Sequence, residues 1–279
     1  MSAQGLAEEN YNSVHMLMKR FSVLSFIFGL YAALIYWWLV LHATHSVGAT
    51  GNYMWVILLT FIPIIGGING LFISHVWGGW KSVLGKGIGF LSLGLIGWAI
   101  GDLIWSFYTI VLKVEVPYPS WADLGFFSIV PFWFIGMIYM ARAGGAKFGL
   151  RGKGGKMFLV IIPIIVFIVS YFLLLRGKAI SGDPLTAFFD IGYPLGDMLT
   201  ASAALSALVL MSKFLGGSMR LPILVLIIGF VFQYLADLFF SYASAAGTYY
   251  NADWIDILYL TAQFVVSCGV GLLLPKKLS

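Results

Sequence analysis

The sequence has few charged residues and only one cysteine. Asp, Glu, Lys and Arg make up 10% of its 279 residues, whereas soluble domains contain about 25%. Hydrophobic residues account for 61% of the chain and aromatic residues for 17%. A water-soluble fold of this length has too small an interior to bury so much apolar surface. The composition therefore excludes a soluble enzyme, a disordered chain and a secreted domain built on disulfides.

Residues that carry common metal or catalytic chemistry are also scarce. Cys268 has no second cysteine with which to form an internal disulfide, and no set of Cys and His residues has the spacing of a metal site. The predicted cytoplasmic segments contain no glycine-rich loop that would cradle a phosphate. We therefore predict neither a metal nor a cofactor and name no catalytic residue, while a membrane enzyme stays an open alternative.

Long apolar runs account for most of the chain. About 20 predominantly apolar residues are enough for a helix to cross a bilayer, and eight runs reach this length. In chain order they are Phe21–Ala43, Met54–Val76, Gly87–Leu112, Asp123–Ala141, Met157–Leu175, Leu185–Met211, Leu221–Ala245 and Trp254–Leu274. The sequence predicts an all-α integral membrane protein with eight transmembrane helices, here called spans 1 to 8.

Basic residues give the predicted spans an orientation. If the N-terminus is cytoplasmic, only three of the sixteen Lys and Arg residues, Lys113, Arg176 and Lys178, fall on the outer side. The other thirteen, on the cytoplasmic side, are Lys19, Arg20, Lys81, Lys86, Arg142, Lys147, Arg151, Lys153, Lys156, Lys213, Arg220, Lys276 and Lys277. Cytoplasmic loops are enriched in Lys and Arg, so we predict a multi-pass protein of the cell (inner or plasma) membrane with both termini cytoplasmic. The net charge of +5 is then an orientation signal and does not indicate a nucleic-acid partner.

Part of the sequence recurs about half a chain later. Residues 101–107, GDLIWSF, resemble residues 236–242, ADLFFSY, at an offset of 135, and residues 121–124, WADL, resemble residues 254–257, WIDI, at an offset of 133. Spans 3 and 7 run in the same direction, so the pattern predicts two parallel four-helix repeats. The predicted parts are a cytoplasmic segment (1–20), the first repeat (21–141), a basic cytoplasmic loop (142–156) and the second repeat (157–279). Chance similarity of two Asp-bearing helices is the alternative.

Six aspartates and the aromatic residues near them form the predicted ligand-binding site. A carboxylate at the centre of a bilayer costs about 2.5–3.5 kcal/mol, so an acid inside a span must face protein or water. The acids inside spans are Asp102, Asp190, Asp197 and Asp237, and those that begin spans 4 and 8 are Asp123 and Asp256. The aromatic residues at helical spacing from them are Trp98, Trp105, Tyr193, Tyr234, Phe240 and Tyr259. All twelve are predicted to line a cavity open to the outer side.

The chemistry of this set suits a cation, because carboxylates and aromatic faces both attract positive charge. Asp102 and Asp237 are related by the repeat and are expected at equal depth in one site, joined by the two acids of span 6. No basic residue within the spans neutralises them, so we expect a bound proton or cation, and the aromatic neighbours favour an organic ammonium ion. The structural alternative is that these acids accept hydrogen bonds between helices, with Asp123 and Asp256 as helix caps.

One stretch is similar to a known family. Residues 116–123, VPYPSWAD, resemble the Pro-hydrophobic-Pro-Ser-x-Ala-Asp signature of a multi-helix membrane sensory module. That module usually precedes bacterial diguanylate cyclase (GGDEF), phosphodiesterase (EAL) or histidine kinase domains. The likeness covers about residues 87–274 and includes GDLIW at 101–105 and YPLGD at 193–197. It implies a sensory input module, here either as a stand-alone relative that passes its signal to a cytoplasmic signalling partner or as a module with an activity of its own.

Together these observations predict a membrane-embedded, ligand-binding sensory module without a catalytic domain. It is expected to bind a small-molecule or cationic ligand from the outer side. The alternative is a secondary transporter or channel for protons or a small cation, including an organic one. The inner halves of spans 3, 6 and 7 contain no carboxylate, which favours sensing over transport. Besides the lipid bilayer, a second copy of the chain is a further expected partner.

Overall fold

The computed structural model describes residues 3–45, 47–177, 180–211 and 219–275. For residues 3–21 and 147 it describes the backbone only. Every regular element in these ranges is helical. Eight helices are long and apolar enough to cross a membrane: α1 (Ser22–Ala43), α2 (Thr50–Val76), α3 (Val83–Leu112), α4 (Trp121–Ala143), α5 (Lys153–Leu175), α6 (Pro184–Met211), α7 (Arg220–Ala245) and α8 (Trp254–Gly271). The predicted all-helical protein with eight potential membrane-spanning helices is confirmed.

Several helices are longer than the apolar runs alone predict. The backbone of α1 is helical from Ala3 onward, through the predicted N-terminal segment, and α5 begins at Lys153. The predicted basic loop is correspondingly shorter and contains a short helix, Ala146–Gly149. The reason is cooperativity, since extending an existing helix costs far less than starting one. Seven basic residues used for the orientation have side chains outside the described part: Lys19, Arg20, Lys147, Lys178, Lys213, Lys276 and Lys277.

A break in α2 brings a polar side chain into the interior. α2 consists of two helical segments separated at Thr60. Pro63, in the first turn of the second segment, has no N–H to bond the carbonyl of Leu59 four residues earlier. Thr60 is fully buried at this break. In α6, by contrast, the helix continues through Pro194.

The connections between helices lie alternately at the two ends of the bundle. At one end, Nδ2 of Asn52, near the start of α2, donates to the carbonyl of Asn251 before α8 at 3.0 Å. At the other end, Nε1 of Trp77 after α2 donates to the carbonyl of Leu273 after α8 at 2.7 Å. We call the first the acidic end, at which α1, α3, α5 and α7 finish, and the second the basic end.

The helices pack in a recurring order. α3 lies between α2 and α4, and α7 lies between α6 and α8. α4 also packs against α6, while α8 packs against α2. α1 and α5 are peripheral, with α1 beside α8 and α2, and α5 beside α6. The helices with the largest buried share are α8, α3 and α2.

The outer surface of the bundle is apolar. α5 has a mean hydropathy of 3.1, and large side chains along it, such as Phe158, Ile165 and Phe172, are exposed. An apolar surface of this extent is unfavourable in water but is covered by the hydrocarbon of a bilayer. The surface therefore supports a multi-pass membrane protein.

Glycines allow the central helices to approach closely. A Cβ atom at Gly125 of α4 would overlap the backbone nitrogen and Cα of Gly101 of α3, and one at Gly66 of α2 would overlap Ser267 of α8. Gly66 and Gly70 of α2, and Gly97 and Gly101 of α3, are four residues apart, a spacing typical of close helix contacts in membranes.

Gly125→Ala is expected to destabilise the protein strongly, because the new methyl group meets backbone atoms of Gly101 that cannot rotate away. Overpacking costs about 1–3 kcal/mol, and we expect the upper part of this range. Thermal unfolding in detergent, followed by circular dichroism, measures the effect. Gly29→Ala is the control, since a Cβ at Gly29 has nothing within 4 Å. If both variants unfold at the wild-type temperature, the helices α3 and α4 are not in backbone contact there.

Candidate functional site

Asp102 lies inside α3 and is paired with α2. The hydroxyl of Thr60, at the break in α2, donates a hydrogen bond to Oδ2 of Asp102. Asp102 is buried, and the predicted neighbours Trp98 and Trp105 lie about one turn before and after it on α3. The indole Nε1 of Trp105 donates to Oδ1 of Asn251 at 3.0 Å, which ties α3 to the connection before α8. The interrupted helix α2 thus supplies the donor for this carboxyl group.

Asp197 of α6 and Asp237 of α7 form a carboxyl pair, which we call the acid pair. Their carboxyl groups are hydrogen-bonded to each other. Ionised carboxylates only accept hydrogen bonds, so this contact requires a proton on one of them. Asp237 also accepts from the hydroxyl of Tyr259 at 2.8 Å and from Nε2 of Gln233 at 3.1 and 3.2 Å. Because Asp237 is the acceptor toward all of its partners, we assign the proton of the pair to Asp197.

No basic side chain balances the charge of the acid pair from the helices that form it. α6 and α8 contain no Lys, Arg or His, and α7 contains only Arg220, at the basic end. The remaining negative charge is stabilised by the neutral donors of Tyr259 and Gln233. Two adjacent carboxyl groups in a low-dielectric interior cannot both ionise unless a proton or cation lies between them. The pair is therefore built to hold at least one positive charge.

A small cavity lies beside the acid pair. Its polar lining consists of Asp197, Thr200, Gln233 and Tyr234, and its apolar lining includes Val130, Trp133 and Phe230. The cavity has a volume of about 20 Å³, which is room for one water molecule or a small ion. The hydroxyl of Tyr234 is 2.7 Å from Oγ of Ser170 on α5. The space beside these acids therefore suits one water molecule or a small inorganic ion.

Two tyrosines donate hydrogen bonds to Asp123 and Asp190 at the contact of α4 with α6. The hydroxyl of Tyr193 donates to Oδ1 of Asp123 at 2.9 Å, and that of Tyr118 donates to Oδ1 of Asp190 at 3.2 Å. Asp123 also accepts the backbone N–H of Ser120 at 2.6 Å and completes a capping box at the start of α4. The structural alternative for Asp123 therefore has direct support.

Asp256 fastens the connection before α8. Its Oδ1 accepts from the hydroxyl of Tyr249 at 3.0 Å, and its Oδ2 accepts the backbone N–H of Ala252 at 2.7 Å. Ala252 is fully buried and has a positive φ of 62°, which is uncommon for a residue with a side chain. Asp253 is the N-cap of α8 and accepts the N–H of Trp254. Asp256 therefore supports the fold at this point, as Asp123 does at the start of α4.

The tyrosines in these connections are held as neutral donors. The pKa of the Tyr249 hydroxyl is raised well above its usual value by burial and by the charge of Asp256, with a further contribution from Asp102. The pKa of Tyr118 is raised by burial and by Asp190. Both groups therefore keep their protons at physiological pH and donate to the acids beside them.

Aromatic rings lie between the two groups of acids. The ring of Tyr259 is 5.9 Å from Trp98 and 6.2 Å from Phe240, and Phe240 is 6.2 Å from Trp105. Among the described residues, these rings rather than a hydrogen bond connect Asp102 with the acid pair. The predicted single site is therefore divided into two centres. One is the acid pair, and the other contains Asp102 with the nearby Tyr249 and Asp256.

Five residues that hydrogen-bond to the candidate acids or extend those bonds were not among the sequence-based candidates: Thr60, Tyr118, Gln233, Tyr249 and Gln263. Gln233 had a detectable signal, because it precedes Asp237 by one helical turn and so shares its face. Thr60 had none, since its partner is 42 residues away and the pairing depends on where α2 is interrupted.

Within the described residues, the fold and these contacts define a class: an all-helical protein with eight helices long and apolar enough to span a membrane and with hydrogen-bonded carboxyl groups buried toward one end. Comparison of the chain with protein-family models, with curated proteins and with solved structures gave no match.

Proposed function

We propose that this chain is a receptor-like sensory module of the membrane, whose acid pair binds a proton or a small inorganic cation that arrives from the acidic end. The contact between Asp197 and Asp237 carries the proposal, because two hydrogen-bonded carboxyl groups need a shared proton or a cation. The helices around the pair provide no Lys, Arg or His that could take this role. The adjacent cavity limits the occupant to about the size of one water molecule.

The proposed orientation places the acidic end outside the cell and both termini in the cytoplasm of a cell-membrane protein. The support is the distribution of charge, since loops at the basic end hold most of the Lys and Arg residues. In this orientation the acid pair takes up its proton or cation from the medium outside, and a cytoplasmic signalling partner binds the basic end.

The proposed parallel repeats, α1–α4 and α5–α8, are supported by packing. The position of α3 between α2 and α4 matches that of α7 between α6 and α8, and the contact of α4 with α6 matches that of α8 with α2. Asp123 and Asp256 also have matching roles, because each accepts a tyrosine hydroxyl and a backbone N–H at the start of its helix. A rotation of about half a turn about an axis along the membrane normal would relate the two repeats and account for these pairings.

The proposed kinship with the bacterial sensory module has support in the role of its signature residues. Ser120 and Asp123 form the capping box that starts α4. Tyr118 and Asp123 make the hydrogen bonds to Asp190 and Tyr193 on α6. The signature thus joins the two proposed repeats next to the acid pair, where a change at the pair would be transmitted between them.

Transport of protons or a small cation is the second candidate, and one observation favours it. Tyr259, Gln263 and Ser267 lie four residues apart on one face of α8 and continue the polar contacts of the acid pair toward the basic end. Against a continuous path, Ser267 is packed directly onto Gly66 of α2.

Reconstituted liposomes distinguish the two functions. With a pH-sensitive dye inside and an imposed pH or Na⁺ gradient, a receptor predicts the same slow leak for the wild type and for Asp237→Asn. It also predicts that tryptophan emission of the wild type changes with external pH. A transporter predicts a gradient that collapses several-fold faster in the wild type only. If the wild type shows neither flux nor a pH-dependent emission change, the acid pair is not an ion-binding site and the proposal is wrong.

The orientation is tested by cysteine labelling in intact cells. In a Cys268→Ser background, Thr248→Cys at the acidic end is expected to react with an impermeant maleimide, whereas Gly154→Cys at the basic end is expected to react only after lysis. Both positions suit the test, because Thr248 is exposed and a Cβ at Gly154 meets no other atom within 4 Å. Labelling of Gly154→Cys from outside would reverse the proposed topology.

A further inference from the structure

Two buried glutamines continue the hydrogen bonds of the acid pair into the contact between α7 and α8. Gln233 donates its Nε2 to both carboxylate oxygens of Asp237. Gln263 of α8 donates its Nε2 to Oε1 of Gln233 at 2.9 Å. The two glutamine side chains are 4% and 0% exposed. They form a linear chain of hydrogen bonds that starts at the acid pair and ends inside the protein.

The charge on Asp237 fixes the direction of both amide groups. A carboxylate only accepts, so Gln233 must turn its NH₂ group toward Asp237 and its oxygen toward Gln263. Gln263 must then turn its own NH₂ group toward Gln233. Its Oε1 is left over, and this buried atom has no hydrogen-bond partner in the described structure. An unpaired buried acceptor is costly, and here the neighbouring charge imposes it.

We propose that Gln233 and Gln263 form a relay that reports the protonation state of the acid pair to the contact between α8 and α2. The inference rests on the proposed function and names how the signal leaves the site. When Asp237 takes a proton from water at the acidic end, its new hydroxyl donates to Oε1 of Gln233. Gln233 turns its amide over and donates to Oε1 of Gln263, which turns as well. One proton is bound, no proton passes along the amides, and no covalent bond in either glutamine changes.

Gln233 is the partner best able to respond. The ionisable groups that face Asp237 are Asp197 and Tyr193 from α6 and Tyr259 from α8. Tyr259 and the protonated Asp197 already direct hydroxyl hydrogens at Asp237. A half-turn of its side-chain amide presents the oxygen of Gln233 to Asp237 in place of the NH₂ group. Among the close partners, Gln233 alone can change from donor to acceptor in this way while it stays in contact with Asp237.

The relay ends where α2 is interrupted. Gln263 precedes Ser267 by one turn on the face of α8 that packs against α2, where Oγ of Ser267 is 3.5 Å from the carbonyl of Ile62. Pro63 has no N–H for the carbonyl of Leu59, so this carbonyl of α2 lacks its usual helical donor. After the amides turn, Gln263 presents a donor in place of the unpaired acceptor, one helical turn from the contact of Ser267 with α2. The contact between α8 and α2 is therefore expected to differ between the two protonation states.

The end of the relay at the interruption of α2 connects the two acid centres. Thr60, at the same interruption of α2, donates to Asp102. A change in the hydrogen bonds of α2 at this level therefore reaches Asp102 without any direct contact between Asp102 and the acid pair.

Isotope-edited infrared spectroscopy tests the relay, because the chain contains only three glutamines, Gln4, Gln233 and Gln263. Full-length Gln4→Ala protein, made by cell-free synthesis with glutamine carrying ¹³C in its side-chain amide, is placed in nanodiscs and titrated from alkaline to acidic pH. We expect both labelled amide bands to shift with the same midpoint as the appearance of a protonated-carboxyl band. Gln263→Met removes one labelled band and is expected to leave the shift of the Gln233 band in place. Asp237→Asn should hold the bands at their acidic positions at every pH.

The possible failures are distinguishable. If the carboxyl band titrates but the amide bands stay fixed, the relay is wrong and the proposed function stands. If no carboxyl band changes at any pH and added Li⁺ or Na⁺ changes no band either, the proposed function fails together with the relay. The amide measurement on the Gln4→Ala protein decides the first case even if Gln263→Met or Asp237→Asn does not fold.

Discussion

Asp237→Asn is expected to abolish the pH dependence of tryptophan emission while the melting temperature changes by no more than a few degrees. Asparagine keeps the shape of the side chain, and its Oδ1 continues to accept from Tyr259. It binds no proton and carries no charge, so the acid pair loses its titration. Gln233 compensates by turning its oxygen toward the new amide, which limits the loss of stability to about 1 kcal/mol. Emission titrations and thermal unfolding in the same nanodiscs measure both effects.

Asp183→Asn is the matched control for this prediction. Asp183 is exposed just before α6, where it accepts the N–H of Thr186 at 2.9 Å, so the same chemical change occurs away from the acid pair. Its emission titration should match the wild type. Should Asp237→Asn instead unfold at a much lower temperature and keep a normal titration in its folded fraction, the carboxyl group of Asp237 is a structural acceptor and nothing more.

Asp256→Ala is expected to be the most destabilising single change among the six acids. It removes the acceptor for the buried N–H of Ala252 and for the hydroxyl of Tyr249. Each buried donor left without a partner costs about 1–3 kcal/mol, so we expect a loss of roughly 3 kcal/mol or more. The variant should express poorly, and its melting temperature in detergent should be well below that of the wild type.

Asp253→Ala provides the comparison for this change. It removes only the N-cap of α8, one residue outside the helix, which typically costs about 1 kcal/mol. If Asp256→Ala is no less stable than Asp253→Ala, the hydrogen bonds of Asp256 do not hold the connection before α8.

Apolar runs were sufficient to predict the eight helices, because a helix in lipid must satisfy its own backbone and therefore shows in hydropathy alone. Their ends were less predictable. α5 begins at Lys153 because a glycine- and lysine-rich segment continues a helix that already exists. The sequence also marked the six acids, since carboxylates are rare in apolar runs.

The division of these acids into two centres was not predictable from the sequence. Helical spacing shows which residues share a face, but it does not show which helix that face meets. Asp102 meets Thr60 because α2 breaks at that residue, and Asp237 meets Asp197 because α7 packs against α6. Both pairings depend on the rotation and depth of neighbouring helices. The aromatic neighbours suggested an organic ligand. The volume of the cavity beside the acid pair depends on helix packing, so the sequence did not predict it.

The most direct test of the acid pair is a count of protons. Purified protein in nanodiscs, mixed with a pH-indicator dye in weak buffer, is moved from mildly alkaline to acidic pH, and the protons taken up per molecule are measured. The wild type is predicted to take up about one proton more than the Asp197→Asn/Asp237→Asn double variant, and Li⁺ or Na⁺ should reduce this difference if a cation competes for the pair. Equal uptake by the two proteins, with no effect of either cation, would contradict the claim that Asp197 and Asp237 form an ion-binding site.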